Sequence, residues 1–351
     1  MASSYFSMGS SFNVIMILQI GKCRKMEMEL RKECYEVGAL LYCPALNAKL
    51  ADAVMMNRFG KQYSLAICLE DTIGDESVEK AEKQLLETLT KITDATTKKG
   101  KKEFFLPKIF IRVREPEQLQ RIYGMLKDQM EVIYGFIFPK YTISNAPLYN
   151  KMIVQMNKAQ QRKIYMMPIL ESADIVDYVC RRSILLNIKK MIDDVKEYVL
   201  NVRVGGNDFC NEFAARRHYD ESIYDIIPIA NLLSDILTVF SREYVVSGPV
   251  WEFFSSDNNE WKDGLRKECE LDKLNGFVGK TVIHPKQIKV VNEALMVSKK
   301  DYEDAKLILG FDAKKGLLVG KSNGGERMNE ARTHKNWASK IMILAEIFGV
   351  N

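Results

Sequence analysis

The sequence has few of the features that mark disulfide-bonded or zinc-binding proteins. Its seven cysteines include no C-x-x-C pair and are odd in number, at positions 23, 34, 43, 68, 180, 210 and 269. This pattern argues against a structural zinc site and against a complete disulfide framework. Cys43 and Cys68 lie in apolar runs, where a cysteine usually packs as a small hydrophobic side chain. We therefore expect a reducing, cytoplasmic environment.

The N-terminal part lacks the features of a membrane anchor or a signal peptide. Its apolar run, residues 12–20, has about half of the roughly 20 residues that a spanning helix needs. Lys22, Arg24 and Lys25 follow this run instead of preceding it, and no small-x-small cleavage site closes it. We expect no membrane partner and assign residues 1–35 to an N-terminal extension.

Blocks of like charge are also scarce. The 51 lysines and arginines are interleaved with 46 acidic residues, which gives a formal net charge of +5. The densest basic cluster, at residues 98–102, is most simply a solvated loop before a strand. Because no RNA-binding or zinc-finger signature accompanies it, we expect no nucleic-acid partner.

The remaining composition is that of a large globular protein. Hydrophobic residues make up 47% and charged residues 28% of 351 residues, close to the average of soluble chains. Eight short apolar runs, each followed by an amphipathic stretch, occupy residues 40–43, 65–69, 109–113, 135–138, 164–170, 199–204, 244–250 and 281–283. Helical patterns such as residues 75–92 and 223–240 lie between them.

Strand then helix, repeated eight times, predicts an α/β fold in which right-handed parallel units close into a (β/α)8 TIM barrel. An open, doubly wound sheet is the alternative. We assign the barrel to residues 36–312 and a C-terminal helical extension to residues 313–351.

Polar side chains follow nearly every predicted strand. They are Asn47, Glu70, Asp71, Arg112, Arg114, Lys140, Glu171, Asn207, Asp208, Glu252 and His284. Catalytic groups of TIM barrels lie at the carboxyl ends of the strands, so this set favours a polar pocket there. Turn chemistry alone would also place Asn and Asp at such ends.

Glu171 and Asp208 follow the fifth and sixth predicted strands, which are neighbours in a barrel. Two carboxylates that converge on one space repel each other unless a cation or a proton joins them. Oxygen ligands without cysteine or histidine suit Mg2+ or Mn2+. Gly205 and Gly206 would let the backbone approach a ligand closely. Alternatively, Asp208 caps a helix over residues 209–216.

Arg112 is the main candidate for contact with an acidic substrate. Its planar guanidinium can bind a carboxylate through two hydrogen bonds or stabilise an enolate oxygen. The alternative is an ion pair with Glu70 or Asp71 across the barrel mouth, and both roles can coexist. Glu70 and Asp71 are themselves typical of residues that orient others.

Lys140 offers a second chemistry, because a lysine at the end of a barrel strand can form a Schiff base with a carbonyl substrate. We rank it below the metal, since a metal held by two carboxylates performs the same electron-sink task. His284 is a candidate acid or base, and a histidine at a strand end is as often a structural hydrogen-bonding group.

Seven motifs, in order, resemble the HpcH/HpaI aldolase and citrate lyase beta-subunit superfamily of metal-dependent C–C lyases. They are LYCPAL at 41–46, ICLEDTI at 67–73, FIRVR at 110–114, FPK at 138–140, PILES at 168–172, GGND at 205–208 and GFVGKTVIHPKQI at 276–288. Residues 201–217, 247–254 and 324–350 are similar to the branch known as C–C bond lyases of the TIM-barrel fold, found with tellurium-resistance-type biosynthetic clusters.

The resemblance implies cleavage or formation of a C–C bond in a small oxo acid, through an enolate stabilised by Mg2+ or Mn2+. It assigns Glu171 and Asp208 as metal ligands and Arg112 to the substrate carboxylate or enolate oxygen. A metal-bound water, or Glu70 or His284 through water, would move the proton.

Two departures from the superfamily pattern concern the substrate. Where relatives carry RVN, this chain has RVR at 112–114, so Arg114 indicates an additional negative group. The usual GAED is GGND at 205–208, in which Asn207 replaces an acidic residue. Together with Glu252 these residues form the expected substrate-binding set. A phosphorylated acid, a CoA thioester and a non-catalytic, metabolite-binding barrel stay open.

The pattern of residues 328–349 predicts an amphipathic helix. Its apolar residues repeat every three or four positions, at Trp337, Ile341, Leu344 and Ile347. The helix either packs on its own barrel or, as in relatives, reaches the active-site mouth of a neighbouring subunit, where Glu330, Arg332 and His334 would help to close the pocket. We expect a homo-oligomer.

Overall fold

The computed structural model describes residues 31–98, 104–311, 316 and 318–351. Most of the predicted N-terminal extension, most of the basic loop at 98–102 and the predicted boundary at 312/313 lie outside these residues. The eight predicted strands all fall within the described part of the chain.

Eight parallel strands form the central sheet and follow one another in chain order. They are β1 (Ala39–Pro44), β2 (Ser64–Cys68), β3 (Lys108–Arg112), β4 (Ile133–Phe138), β5 (Tyr165–Leu170), β6 (Val202–Val204), β7 (Val246–Ser247) and β8 (Lys280–Val282). Strand β1 pairs with both β2 and β8. The amides of Val278 and Gly248 donate to the carbonyls of Val246 and Gly279, at 2.8 and 3.0 Å, and connect β7 with β8. The predicted TIM barrel is confirmed, and the open sheet is wrong.

Helices follow the strands and cover the barrel. They are α1 (Lys32–Tyr35), α2 (Leu50–Met55), α3 (Val78–Lys98), α4 (Pro116–Met125), α5 (Ala146–Ala159), α6 (Ala173–Val176), α7 (Arg181–Asp193), α8 (Gly206–Glu212), α9 (Ile227–Phe240), α10 (Glu260–Asn275), α11 (Pro285–Leu295), α12 (Lys299–Leu309) and α13 (Lys335–Phe348). The helices predicted at 75–92 and 223–240 are both present, and each is preceded by a short 3-10 turn, Asp75–Ser77 or Ile223–Asp225. No helix in the described ranges is long and apolar enough to cross a bilayer.

The strands are buried on both faces, which explains their nearly continuous apolar sequences. Every residue of β2 and β5 is buried. Helix α9 buries Leu232, Leu233, Ile236 and Phe240, which are spaced three or four residues apart on one face. Burial of both strand faces is typical of a parallel sheet that is covered by helices.

The C-terminal extension packs on the barrel of its own chain. Strands β9 (Val319–Lys321) and β10 (Met328–Glu330) form an antiparallel hairpin, and helix α13 packs against α12. Lys340 Nζ donates to the Gly276 carbonyl at 3.1 Å, and a Cβ atom on Gly38 would lie 3.1 Å from the Phe348 ring. Gly38 and Gly276 both precede barrel strands, so α13 lies at the amino ends of the strands, away from the mouth.

The prediction of a helix over residues 328–349 is wrong for its first residues, because Met328–Glu330 form a strand and the helix begins at Lys335. Side-chain contacts anchor this strand to α12. Asn329 Nδ2 and Arg327 Nε donate to the carboxylate of Asp304 at 2.8 and 2.6 Å. These contacts outweigh the helical pattern of the sequence.

Candidate active site

Five charged side chains form one connected network at the carboxyl ends of β2, β3, β4 and β5. They are Glu70, Asp71, Arg112, Lys140 and Glu171. The parallel order of the strands brings them together, since the carboxyl ends of neighbouring strands lie side by side. All five belong to the site predicted from the sequence.

Arg112 is the centre of this network. Its Nη2 lies 2.6 Å from Glu70 Oε2, 2.9 Å from Asp71 Oδ2 and 3.6 Å from Glu171 Oε1. Burial lowers the pKa of Arg112, but the acidic groups around it, Tyr42 and Glu171 foremost, outweigh burial and raise it well above its usual value. The guanidinium is therefore charged, and the ion pair considered from the sequence is present. Its Nε has no hydrogen-bond partner in the described structure.

Lys140 reaches the same carboxylates from the end of β4. Its Nζ lies 2.7 Å from Glu70 Oε1 and 3.5 Å from Asp71 Oδ1. Its φ of 46° is in the left-handed region, which residues other than glycine rarely adopt, and its amide donates to Glu171 Oε1 at 2.9 Å. Burial lowers the pKa of Lys140, but the hydrogen bond and the charge of Glu70 outweigh burial and raise it. The amine is therefore protonated near neutral pH.

Glu171 is the most enclosed acid of the network, with 4% of its surface exposed. Burial raises its pKa to about 8, in spite of the opposing charge of Arg112, and the nearby Asp208 adds to the increase. Arg112 and the Lys140 amide therefore compensate this buried carboxylate only in part.

Gly205 allows Glu171 and Asp208 to approach each other. A Cβ atom on Gly205 would lie 2.3 Å from Glu171 Oε2 and 2.9 Å from Asp208 Oδ2, closer than real Cβ atoms come. The φ of Gly205 is −93°, which any residue can adopt. Space, and not backbone conformation, therefore requires glycine here.

Asp208 lies in the first turn of α8, which begins at Gly206. The alternative that Asp208 caps this helix is wrong, since Gly205 occupies the cap position. Burial raises the pKa of Asp208, and the charge of Asp71 raises it further. Both acids of the predicted pair thus hold protons more strongly than usual, as crowded carboxylates do.

Glu70 and Asp71 connect the two basic groups. Glu70 Oε2 accepts a hydrogen bond from the Asp71 amide at 2.9 Å. Burial raises the pKa of Glu70 more than Arg112 lowers it. Burial also acts to raise the pKa of Asp71, but Arg112 and the hydrogen bond with Glu70 outweigh it and lower that pKa. These contacts hold Arg112 and Lys140 in fixed positions.

Arg114 and Glu252 make their hydrogen bonds and ion pairs outside the network. Arg114 donates to the Ile73 carbonyl at 2.8 Å and pairs with Asp75 at 2.5 Å. Glu252 pairs with Arg216 at 3.3 Å. These contacts hold loops in place, and contact of either residue with substrate stays a prediction.

His284 has a structural role in the described chain. It is the cap residue of α11, where its Nδ1 accepts from the Lys286 amide at 3.2 Å, and its ring stacks on Phe254. Burial and the charge of Lys286 lower its pKa. Asn207 is exposed on α8. Neither residue has a hydrogen bond or ion pair with the network in the described ranges, and their predicted roles stay predictions.

The tail residues predicted to close the mouth stay within the C-terminal extension. The Glu330 amide donates to His334 Nδ1 at 3.0 Å, and Arg332 is exposed. Among the described residues, none of the three has a hydrogen bond or ion pair with the network. Their action on a neighbouring subunit stays a prediction.

Two residues beside the network are missing from the sequence-based prediction. Arg112 Cζ lies 5.5 Å from the ring centre of Tyr42, which is on β1. Arg203 on β6 is 1% exposed, and its Nη2 donates to Thr281 Oγ1 at 2.6 Å. A charged residue within an apolar strand was the available signal for Arg203.

Within the described ranges, no three His, Cys, Asp or Glu side chains converge in a way that could hold a metal ion. The candidate metal site therefore has two protein carboxylates among the described residues, those of Glu171 and Asp208. Mg2+ is commonly bound by one or two carboxylates, with water and substrate oxygens as the other ligands. This donor set fits Mg2+ or Mn2+, whereas Zn2+ sites in proteins use three or four nitrogen, sulfur or oxygen ligands.

A closed eight-stranded barrel with charged groups at the carboxyl ends of its strands is the arrangement of a TIM-barrel enzyme. Residues 31–350 match the model of the family described as C–C bond lyase of the TIM-barrel fold. The chain belongs to this family and is a carbon–carbon lyase. The resemblance seen in the sequence motifs is confirmed.

Solved structures share the barrel at low sequence identity. CitE from Mycobacterium tuberculosis, in complex with magnesium, acetoacetate and coenzyme A, has a TM-score of 0.56 at 16% identity, over 89% of this chain and 99% of that chain. The same protein with magnesium and pyruvate has a TM-score of 0.50 at 17% identity, over 76% of this chain and 93% of that chain.

One characterised enzyme matches over a short stretch. It is a (3S)-malyl-CoA thioesterase of Cereibacter sphaeroides (strain ATCC 17025 / ATH 2.4.3), 48% identical over 42 residues. The match covers 12% of this chain and 15% of that enzyme.

Proposed function

We propose that this protein is a Mg2+-dependent lyase or aldolase that acts on a small oxo acid, with Glu171 and Asp208 as the metal ligands; Mn2+ is the alternative ion. The observation that carries this proposal is the convergence of the two carboxylates on Gly205. A divalent cation would relieve their repulsion and compensate the charge of the buried Glu171. When bound, the cation would polarise a substrate oxygen and stabilise the negative charge that develops as the C–C bond breaks.

Arg112 would bind a substrate carboxylate or enolate oxygen beside this position. Its Nη2 is 3.6 Å from Glu171 Oε1, and its buried Nε is without a hydrogen-bond partner in the described structure. Glu70 and Asp71 hold the guanidinium in place before substrate arrives. A preorganised donor of this kind stabilises developing charge without reorganisation.

We assign proton transfer to Glu70. Of the groups predicted for this task, Glu70 lies in the network, whereas His284 caps a helix. Burial raises the pKa of Glu70, so its carboxyl exchanges protons closer to neutral pH than an exposed glutamate does. The ammonium group of Lys140 lies 2.7 Å from Glu70 Oε1 and stabilises the ionised form of Glu70.

A Schiff-base aldolase that uses Lys140 has weaker support. Attack on a carbonyl needs the neutral amine, and the interaction with Glu70 raises the pKa of Lys140. We expect no adduct after borohydride trapping with pyruvate, measured by mass spectrometry. A stable adduct on Lys140 would favour the Schiff-base mechanism over the metal-dependent one.

The relatives support the ligand class. CitE was solved with magnesium together with acetoacetate or pyruvate, which are both small oxo acids. The coenzyme A in one of these structures and the malyl-CoA thioesterase match keep a CoA thioester open as the activated form of the substrate.

Calorimetric titration of Mg2+ and Mn2+ into the metal-free protein, with and without oxalate, tests the proposal. We expect metal and oxalate to bind cooperatively, and Glu171→Gln and Asp208→Asn to abolish this binding. Asp174→Asn is a matched control, since Asp174 is an exposed carboxylate on α6 that follows Glu171 closely. Unchanged metal binding in both site variants would contradict the ligand assignment and favour a non-catalytic, metabolite-binding barrel.

A further inference from the structure

Arg203 lies in the interior of the barrel, below the charged network at the mouth. Its Nη2 donates to Thr281 Oγ1 at 2.6 Å. Thr281 faces the interior, because side chains alternate along a strand and the adjacent Lys280 reaches outward to Glu268 on α10. In register, Arg203 pairs with Ile169, which precedes Glu171 by two residues. The guanidinium group is therefore enclosed by strands and separate from the proposed metal position.

Two more polar residues share this interior face with Arg203. Ser247 on β7 is the register partner of Arg203, and Asn201 precedes Arg203 by two residues in the chain. Both relations place side chains on one face of a sheet. Since Arg203 on β6 reaches Thr281 on β8, its side chain crosses β7, where Ser247 lies. The three polar side chains thus face one part of the barrel interior.

These three side chains have more hydrogen-bonding atoms than partners in the described chain. The atoms without a partner are Arg203 Nε and Nη1, Asn201 Nδ2 and Oδ1, and Ser247 Oγ. All three residues are at most 1% exposed. Buried polar atoms are rarely unpaired in proteins, because an unmade hydrogen bond costs free energy. Four of the five atoms can donate a hydrogen bond, so the group suits a ligand that accepts.

The charge of Arg203 is also without compensation. The other buried basic residues each pair with at least one carboxylate; they are Arg112, Arg181, Arg217 and Lys280. Arg203 has no carboxylate within ion-pair distance in the described ranges. Burial lowers the pKa of Arg203 in spite of the opposing effect of Tyr42, but a guanidinium stays charged at neutral pH. A buried charge without a partner is strongly destabilising, and water supplies no opposite charge.

We propose that a small monovalent anion, such as chloride, binds in the barrel interior between Arg203, Ser247 and Asn201. Arg203 supplies the positive charge and two N–H groups, and Ser247 Oγ and Asn201 Nδ2 donate the other hydrogen bonds. One negative charge matches the single uncompensated cation. Asn201 Oδ1 is left to accept from water. This inference goes beyond the proposed function, since it uses no residue of the proposed metal site.

Thermal unfolding of the metal-free full chain tests the site. The salts are sodium chloride, sodium bromide and sodium methanesulfonate at constant ionic strength, the last being the reference because its anion is larger than a halide. For the wild type we expect the melting temperature to rise with halide concentration, as for an ion that binds only the folded state. Ser247→Ala should weaken halide binding about 10- to 100-fold, the range for a hydrogen bond to a charged group.

Arg203→Met should abolish the difference between halide and methanesulfonate. In methanesulfonate it should melt no lower than the wild type, because it removes an uncompensated charge. Arg181→Met is a matched control, since Arg181 is a buried arginine that pairs with Asp235 at 2.9 Å. This control should melt at a lower temperature in every salt and keep the full halide effect. If Arg203→Met does not fold, Ser247→Ala, which removes one atom, decides the question.

Diffraction from crystals grown with bromide locates the ion directly. We expect an anomalous peak between Arg203, Ser247 and Asn201 in the wild type. Bromide peaks confined to the protein surface would show an adventitious ion only and overturn the inference. Halide stabilisation that persists undiminished in Ser247→Ala and Arg203→Met would overturn it as well. Because metal-free protein is used, these results do not depend on Mg2+ binding by Glu171 and Asp208.

Discussion

Replacing Gly205 with alanine tests the convergence of Glu171 and Asp208 by placing one methyl group between them. The new Cβ would lie 2.3 Å from both Cβ and Oε2 of Glu171, and 2.9 Å from Asp208 Oδ2. Ordinary contacts begin at 3.4 Å, so Glu171 has to move by about 1 Å. The backbone contributes nothing to this effect, because a φ of −93° suits alanine.

A displacement of this size is large for a metal ligand. Mg2+ requires near-ideal geometry at about 2.1 Å, and a misplacement of about 1 Å at an active site can cost about 100-fold. We therefore expect Gly205→Ala to weaken Mg2+ binding about 100-fold, which is about 2.7 kcal/mol. The methyl group also overpacks the site, which should lower the free energy of unfolding by about 1–3 kcal/mol.

Gly206→Ala is the matched control for this experiment. Its Cβ would lie 2.7 Å from Pro249 Cβ and 2.9 Å from Ile223 Cδ1, and its nearest neighbours include no carboxylate. We expect a similar loss of stability with unchanged Mg2+ affinity. Calorimetry with Mg2+ and urea unfolding, on the wild type and both variants, measure the two quantities separately.

Wild-type Mg2+ affinity in Gly205→Ala would refute the reasoning that the two carboxylates act together at this position. Equal losses of affinity in both glycine variants would show that overpacking alone accounts for the effect.

Four further predictions concern the charged groups. Burial raises the pKa of Glu171 from 4.5 to about 8, so the metal-free folded protein binds more protons than the unfolded chain between these values. Its free energy of unfolding should therefore fall as pH rises through this window, and Glu171→Gln should flatten the fall in urea titrations at several pH values. For the same reason Mg2+ affinity should rise by up to about tenfold per pH unit below pH 8. Arg112→Met removes the guanidinium that pairs with Glu70, Asp71 and Glu171 and leaves Lys140 as the remaining cation of the network, so it should lower the free energy of unfolding by about 3–5 kcal/mol. A wild-type melting temperature would contradict this role. Lys280→Met removes the buried ammonium group that lies 2.9 Å from Glu268 Oε1 and 2.7 Å from Asp272 Oδ2. This loss should lower the free energy of unfolding by about 3–5 kcal/mol and leave Mg2+ affinity unchanged. Weakened Mg2+ binding in that variant would show that this buried cluster and the site are coupled.

The positions of the strands were predictable, because burial of both strand faces leaves a local apolar pattern. Strand β5 was predicted at 164–170 and is found at Tyr165–Leu170. The errors lie at the ends of strands. Strand β7 was predicted at 244–250, but only Val246–Ser247 are paired as a strand. Pro249 has no amide hydrogen to extend the ladder, and a run of apolar letters does not show where pairing stops.

Contacts between distant segments were less predictable, since they depend on packing and not on local pattern. The tail is one example, because Met328–Glu330 pair as a strand where the sequence pattern is helical. Arg203 is another, because an arginine within an apolar run does not reveal whether a partner faces it. Its two nitrogen atoms without partners in the described chain became visible only in the folded barrel.

The sequence by itself determined the repeating strand and helix units, and hence the barrel and the acidic and basic residues at its mouth. Only the tertiary structure decided which of these charges meet. Glu171 has no basic neighbour in the chain, yet the barrel places Arg112 3.6 Å from it and turns the Lys140 amide toward it. The reason is that electrostatic energy depends on distance and burial in space. Both quantities are set when the barrel closes, and neither can be read from spacing along the chain.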